Sequence, residues 1–167
     1  MKNIVFLDIE NTIIDDLVNR QFLDDNCERI KKFLKSADFV CFNTWGWITK
    51  NEIDPILIRL MLDRLEVDKE KRFFQVLVKE DSVDEAIRDG WLIEQDKERA
   101  MCPGMMEEFG LTKPSCFISL AAATEVNEPT TFWLVDDLVD KFEKLDFGKI
   151  KVCLVNPKDI KENGKIV

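Results

Sequence analysis

The chain has 167 residues, 46% of them hydrophobic, which suits one compact domain spanning residues 1–167 with a full core. Its formal charge of −9 disfavours broad attraction to nucleic acid or anionic membranes, and no apolar stretch approaches the ~20 residues needed to span a bilayer. Because it has no histidine, Ser-His-Asp and Cys-His nucleophiles, histidine bases and His-ligated zinc are excluded, and any chemistry falls to carboxylates, Lys, Thr or Ser.

The N-terminus enters a hydrophobic strand directly, with no signal-peptide pattern, so a cytoplasmic protein is expected. That strand, residues 3–7, delivers Asp8-Ile9-Glu10-Asn11-Thr12. One helix's worth of chain leads to a second strand, 38–42, which runs into Asn43-Thr44 and then Trp45-Gly46-Trp47. The two indoles could stack on a substrate ring or pack against the next helix, and Gly46 reads as a turn residue. Asp54-Pro55 gives an N-cap with proline at the first helical position, and Ile53, Ile56, Leu57, Leu60, Met61 and Leu65 repeat at helical spacing.

A third strand is expected at 72–78, followed by a short helix opened by Ser82 and Glu85 as a capping box and ended at Gly90. Pro103 marks the start of another helix ending before Gly110, and Pro114 the start of one running through Ala123. The strand 131–135 then delivers Asp136-Asp137. Leu138, Phe142 and Leu145 are spaced for a last helix stopped near Gly148, before a strand at 151–155. Residues 158–167 are polar, with an Asn163-Gly164 turn, and read as a tail or a small hairpin. Alternating strands and helices predict an α/β fold, a three-layer sandwich with a mainly parallel sheet. Five scattered cysteines, none in a C-x-x-C pair, indicate neither disulfides nor a thiolate metal site, and Cys41, Cys116 and Cys153 lie in apolar runs as core residues.

Strands that are apolar throughout are central in parallel sheets, whose ligands bind at the carboxyl ends of the strands. Asp8 and the Asp136-Asp137 pair both fall there. Converging carboxylates repel and need a shared proton or a cation, so a bound divalent metal is expected.

The order of these motifs resembles the haloacid dehalogenase-like superfamily of phosphotransferases. Its first motif, a strand followed by Asp-x-Asp-x-Thr, is matched by Asp8 to Thr12; its second, a strand ending in Thr or Ser, by Thr44; its third by Lys113-Pro114; its fourth by Asp136-Asp137. The resemblance implies a Rossmann-like core without a large cap, since too little chain separates Thr12 from Thr44 to hold one. It implies magnesium held by Asp8, the backbone carbonyl of Glu10 and Asp136 or Asp137, with Asp8 as nucleophile. Thr44 and Lys113 would contact the phosphoryl oxygens, and Trp45 and Trp47 would flank the substrate. The substrate implied is a phosphorylated molecule, of macromolecular or extended form given the open site.

Glu10 departs from the pattern, standing where the family has the Asp that protonates the leaving oxygen. Its extra methylene moves the carboxyl by about 1.5 Å, and on the resemblance alone Glu10→Asp is expected to raise turnover. Two alternatives follow from the same residues. One is a catalytically impaired binding or regulatory protein on this fold. The other is a metal nuclease of the PIN or NYN kind, which also begins with strand-Asp but gives Thr44 and Lys113 no role.

Overall fold

A computed structural model describes residues 1–166. Six strands, β1 (Lys2–Leu7), β2 (Phe39–Asn43), β3 (Arg72–Leu77), β4 (Thr130–Val135), β5 (Glu143–Phe147) and β6 (Ile150–Val155), form one sheet in the order β3-β2-β1-β4-β6-β5. All pairs are parallel except β5 with β6. The helices are α1 (Asp24–Phe33), α2 (Pro55–Arg64), α3 (Lys79–Arg88), α4 (Lys97–Met101), α5 (Met105–Glu108) and α6 (Lys113–Ala122). The fold is thus α/β with a mixed, mostly parallel sheet flanked by helices, an arrangement compatible with a three-layer sandwich. No helix among the described residues is long and apolar enough to cross a membrane.

The central strands are apolar at consecutive positions because each face is covered by helices. Val5 and Leu7 of β1, with Val40, Phe42 and Val135, face α1 and α2 and pack with Ile30, Leu57 and Met61. Phe6, Cys41, Phe132 and Leu134 point the other way and pack against Phe117 and Ala121 of α6. A third cluster, holding Val83, Ala100, Met106 and Cys116, joins the short helices α3 to α5 to the flank of α6. Cys41, Cys116 and Cys153 are buried as expected, and Cys27 joins them. Burial pushes the Cys41 thiol up to about 12 and those of Cys27 and Cys116 to about 11, so none is a ready nucleophile.

Local corrections have clear causes. The α3 helix starts at Lys79 rather than Ser82, because the Asp81 carboxylate accepts the Val78 N–H at 2.8 Å and caps the chain one turn earlier. Pro103 lies between α4 and α5, not at a helix start. The largest departure follows Asp136, where the expected last helix is absent. Asp136 Oδ1 accepts the Leu138 N–H at 2.9 Å, the Val139 N–H folds back on the Asp136 carbonyl at 3.2 Å, and Asn156 Nδ2 holds the carbonyls of Asp137 and Val139. That ties the chain into a turn. Leu145 then pairs opposite Val152 in β5, an antiparallel edge strand whose exposed Glu143, Lys144 and Asp146 discourage further pairing. The C-terminal segment does form a small hairpin, with Ile160 bridged to Ile166; Val167 lies outside the described residues.

This assignment separates two leucines four residues apart. Leu134 is fully buried in β4, and Leu138, which a helix would have turned inward, is 58% exposed. Leu134→Ala is therefore expected to cost about 2–5 kcal/mol in urea unfolding, and Leu138→Ala less than about 0.5 kcal/mol. Comparable losses at the two positions would restore the helix.

Candidate active site

From β1 the chain moves outward through α1 to β2 and α2 to β3, then returns through α3 to α6 to enter β4 on the other side of β1. Between β1 and β4 the strand order therefore reverses, and at such switch points a crevice opens beyond the carboxyl ends of the strands. Leu7 pairs with Val135, so Asp8 and Asp136 leave neighbouring strands side by side.

Beyond β1 the chain turns sharply. Asn11 takes a left-handed backbone (φ 60°), which Asn tolerates better than most residues, and Ile13 N–H closes the turn on the Ile9 carbonyl at 2.9 Å. Thr12 is thereby folded back onto Asp8. Its hydroxyl donates to Asp8 Oδ2 at 2.9 Å while its oxygen accepts the Asp137 N–H at 3.2 Å, so one side chain links both acidic strand ends.

Lys113 arrives from the opposite side, as the first residue of α6. Thr112 caps that helix, its hydroxyl oxygen accepting the Ser115 N–H at 3.1 Å. The Lys113 side chain is buried, with Nζ 2.5 Å from Asp8 Oδ1 and 2.9 Å from Asp136 Oδ2. The second contact is an ion pair by distance, but its angles do not make a hydrogen bond, and Asp136 Oδ2 is left without one. Asp8, Asp136 and Asp137 each place a carboxylate oxygen within 4.8 Å of the others.

The charges explain one another. Burial opposes the Lys113 ammonium, but Asp8 and Asp136 together outweigh it and raise its pKa. Burial first, and the neighbouring Asp8 charge second, raise the pKa of Asp136. Asp137 is pushed up to about 7 by burial, by its hydrogen bond with Asp8 and by the two neighbouring charges. One ammonium thus faces three carboxylates. The oxygen-only donor set and its close spacing fit a hard divalent cation, which Asp8, Asp136 and Asp137 could hold.

Glu10 is not part of this trio. Its Oε2 accepts the Leu17 N–H at 3.1 Å, and its Oε1 lies 2.5 Å from where a Cβ on Gly46 would stand. Thr44 Oγ1 is 3.3 Å from the same point and accepts the Gly46 N–H at 3.0 Å. Glu10 and Thr44 therefore approach each other over Gly46, which lies in the bend after β2 without a left-handed backbone and whose missing side chain leaves room for both. Thr44 is buried at the end of β2, its N–H bonded to the Leu77 carbonyl at 2.9 Å.

The two indoles part company. Trp47 is buried in the α2-side core among Leu57 and Ile58, so it packs rather than stacks on a ligand. Trp45 is half-buried against α3, its Nε1–H donating to Ser82 Oγ at 3.0 Å. Under it lies the buried Lys79, 5.9 Å from the ring, with Nζ donating to the Cys102 carbonyl at 2.7 Å; burial lowers its pKa.

Three residues escaped the sequence reading. Thr12 was legible in principle as the fifth position of the first motif. Lys79 follows the third strand much as Asp8 follows the first, a weaker signal. Asn43 gave none: it is wholly buried beside the Asp8 strand, and both its amide oxygen and nitrogen lack protein partners.

No family model matches the chain, and neither a curated protein nor a solved structure matches it.

Removing the central cation without changing the side-chain bulk should expose the strain in the cluster. Lys113→Met is expected to lose about 3–5 kcal/mol of stability at neutral pH, because it leaves buried carboxylates uncompensated. A loss under about 1 kcal/mol would show that shared protons already neutralise them. Magnesium should raise the melting temperature, since it would bind the folded cluster and not the unfolded chain, stabilising the fold by about 2.7 kcal/mol at a hundredfold excess over Kd. Asp136→Asn combined with Asp137→Asn should remove that response, and a double variant that responds like the parent puts the ion elsewhere.

Proposed function

We propose that this chain is a magnesium-dependent phosphomonoester hydrolase of the haloacid dehalogenase-like kind, working through an aspartyl-phosphate on Asp8. The observation that carries the reading is the meeting of Asp8, Asp136, Asp137 and Lys113 at the carboxyl ends of two adjacent parallel strands, at the point where strand order reverses. The order of the motifs along the chain supports it. Asp8, Asp136 or Asp137 and the Glu10 carbonyl would hold magnesium, which when bound supplies positive charge against the carboxylates and the phosphoryl oxygens.

The residues themselves then have distinct tasks. Thr12 and Lys113 fix the two oxygens of Asp8, which orients the carboxylate before it attacks. An Asp8 oxygen bonds to phosphorus, the bond from phosphorus to the ester oxygen breaks, and that oxygen leaves with its electron pair and a proton from Glu10. Water then attacks the phosphorus, giving a proton to the Glu10 carboxylate; the bond from Asp8 to phosphorus breaks and inorganic phosphate departs. Lys113 and the Thr44 hydroxyl face the non-bridging oxygens.

Residues 13–43 hold a loop, α1, one 3-10 turn and β2, and helices α3 to α5 pack beside α6, which supports an uncapped site open to an extended or macromolecular phosphate ester. One observation favours the second reading, a binding or regulatory protein without turnover: the Glu10 carboxylate is hydrogen-bonded to Leu17 and stands apart from the acidic trio.

Release of phosphate from an aryl phosphate with magnesium is the first test. Asp8→Asn should fold normally and abolish it, and undiminished release would point to another mechanism or a contaminant. Glu10→Asp is now expected to lower turnover by roughly tenfold, against the expectation from the resemblance, because the shorter side chain withdraws from Leu17 N–H and Gly46. A faster Asp variant would show the longer side chain to be the defect. No release from the parent protein over a panel of phosphomonoesters favours the binding protein.

A further inference from the structure

Residues 15–21 form a loop whose hydrogen bonding exceeds what a simple connection requires. Asp15 Oδ1 accepts the N–H groups of Asp16 and Gln21, and Asp16 Oδ1 accepts those of Val18 and Asn19. The ends are joined by the Asp15 N–H to the Gln21 carbonyl at 2.9 Å and by the bridge of Ile14 with Phe22. Arg20 sits within it on a left-handed backbone (φ 57°), an unfavourable conformation for such a residue unless its surroundings fix it.

What fixes Arg20 leads to Glu10. Arg20 Nε donates to the Leu17 carbonyl at 3.0 Å, and Arg20 Nη1 donates to Asp54 Oδ2 at 2.8 Å. Asp54 is itself anchored as the N-cap of α2, its Oδ1 accepting the N–H groups of Ile56 and Leu57. The pair with Arg20 is the main reason the Asp54 pKa is lowered. From the helix, then, a continuous set of contacts runs Asp54 to Arg20, Arg20 to Leu17, and Leu17 N–H to Glu10 Oε2. Leu17 also packs on the core, with its Cδ1 2.7 Å from where a Gly46 Cβ would stand.

We infer that Arg20 and Asp54 are positioning residues, which brace the 15–21 loop so that the Leu17 amide holds the Glu10 carboxylate over Gly46 beside Thr44. The inference rests on the proposed hydrolase for its catalytic consequence and on the contacts alone for its structural one. A Glu has one more rotatable bond than an Asp, so a carboxyl on the longer stem needs an outside fixture to stay in one place. The Leu17 amide is that fixture, and the brace holds the amide.

The test separates positioning from general stability. Arg20→Asn suits the left-handed backbone but cannot reach Asp54, and Asp54→Asn keeps the helix cap while discharging the pair. Proton donation matters for a poor leaving group and hardly at all for a good one. In both variants the ratio of kcat/KM for a simple alkyl phosphate to that for dinitrophenyl phosphate is expected to fall roughly tenfold. Amide exchange at Leu17 should quicken by about as much, with the melting curve retained. An unchanged ratio, or equal losses on both esters, overturns the positioning role. If the parent hydrolyses neither ester, the proposed function fails by itself, and the brace is judged on Leu17 exchange: faster in both variants upholds it, unchanged overturns it.

Discussion

The acidic cluster at the ends of β1 and β4 is arranged around one buried ammonium, that of Lys113, set between Asp8 and Asp136. Neither side of that contact is stable without the other. A buried lysine free of carboxylates would shed its proton, and buried carboxylates with no cation would take protons up. Surface pairs such as Arg99 with Glu108 are each worth only about 0–1 kcal/mol, whereas breaking a buried pair costs about 3–5 kcal/mol. The requirement fixes topology as well. The α6 helix must begin at the carboxyl ends of β1 and β4, which the long crossover from β3 through α3 to α6 accomplishes on one face of the sheet.

The same contact leaves a debt of charge. One ammonium does not balance three carboxylates, and the Asp137 pKa near 7 records the remainder. A site built only to stabilise the fold would serve better with an apolar pair of the same volume. The surplus negative charge is consistent with a fold that meets a cation, and Asp137 is the partly buried member of the cluster.

Much of this was legible because the relevant signals are local. Strands covered on both faces are apolar at most positions, and apolar runs bounded by polar turns located β1, β2, β4, β6 and the edge strand β3 within a residue or two. The β5 strand was missed because it is an edge with no buried face, and because Leu138, Phe142 and Leu145 happen to repeat at helical spacing. Helical periodicity carries no information about Asn156, which follows β6 and ties down the turn after Asp136. In the site, Asp8, Lys113 and Asp136 could be read from their places at element ends. The buried Trp47, the crowding at Gly46 and the unpartnered Asn43 depend on which segments meet in space, and a single sequence does not encode that in any local pattern.

The site therefore stands on two different supports. Asp8 and Asp136 are held at strand ends and Lys113 by a capped helix, with Thr12 folded back on them from the turn after β1, and the four reinforce one another through shared contacts. Glu10 is held by a loop, through a backbone amide and the absence of a side chain at Gly46. Groups that share partners couple strongly, and groups with none in common behave additively. Changes within the ion cluster should accordingly be non-additive with each other, while a change in the loop adds to a change in the cluster. A carboxylate held by a loop is also the part of the site most easily re-aimed by small sequence changes, and Glu10 is the position where this chain departs from the pattern its other motifs follow.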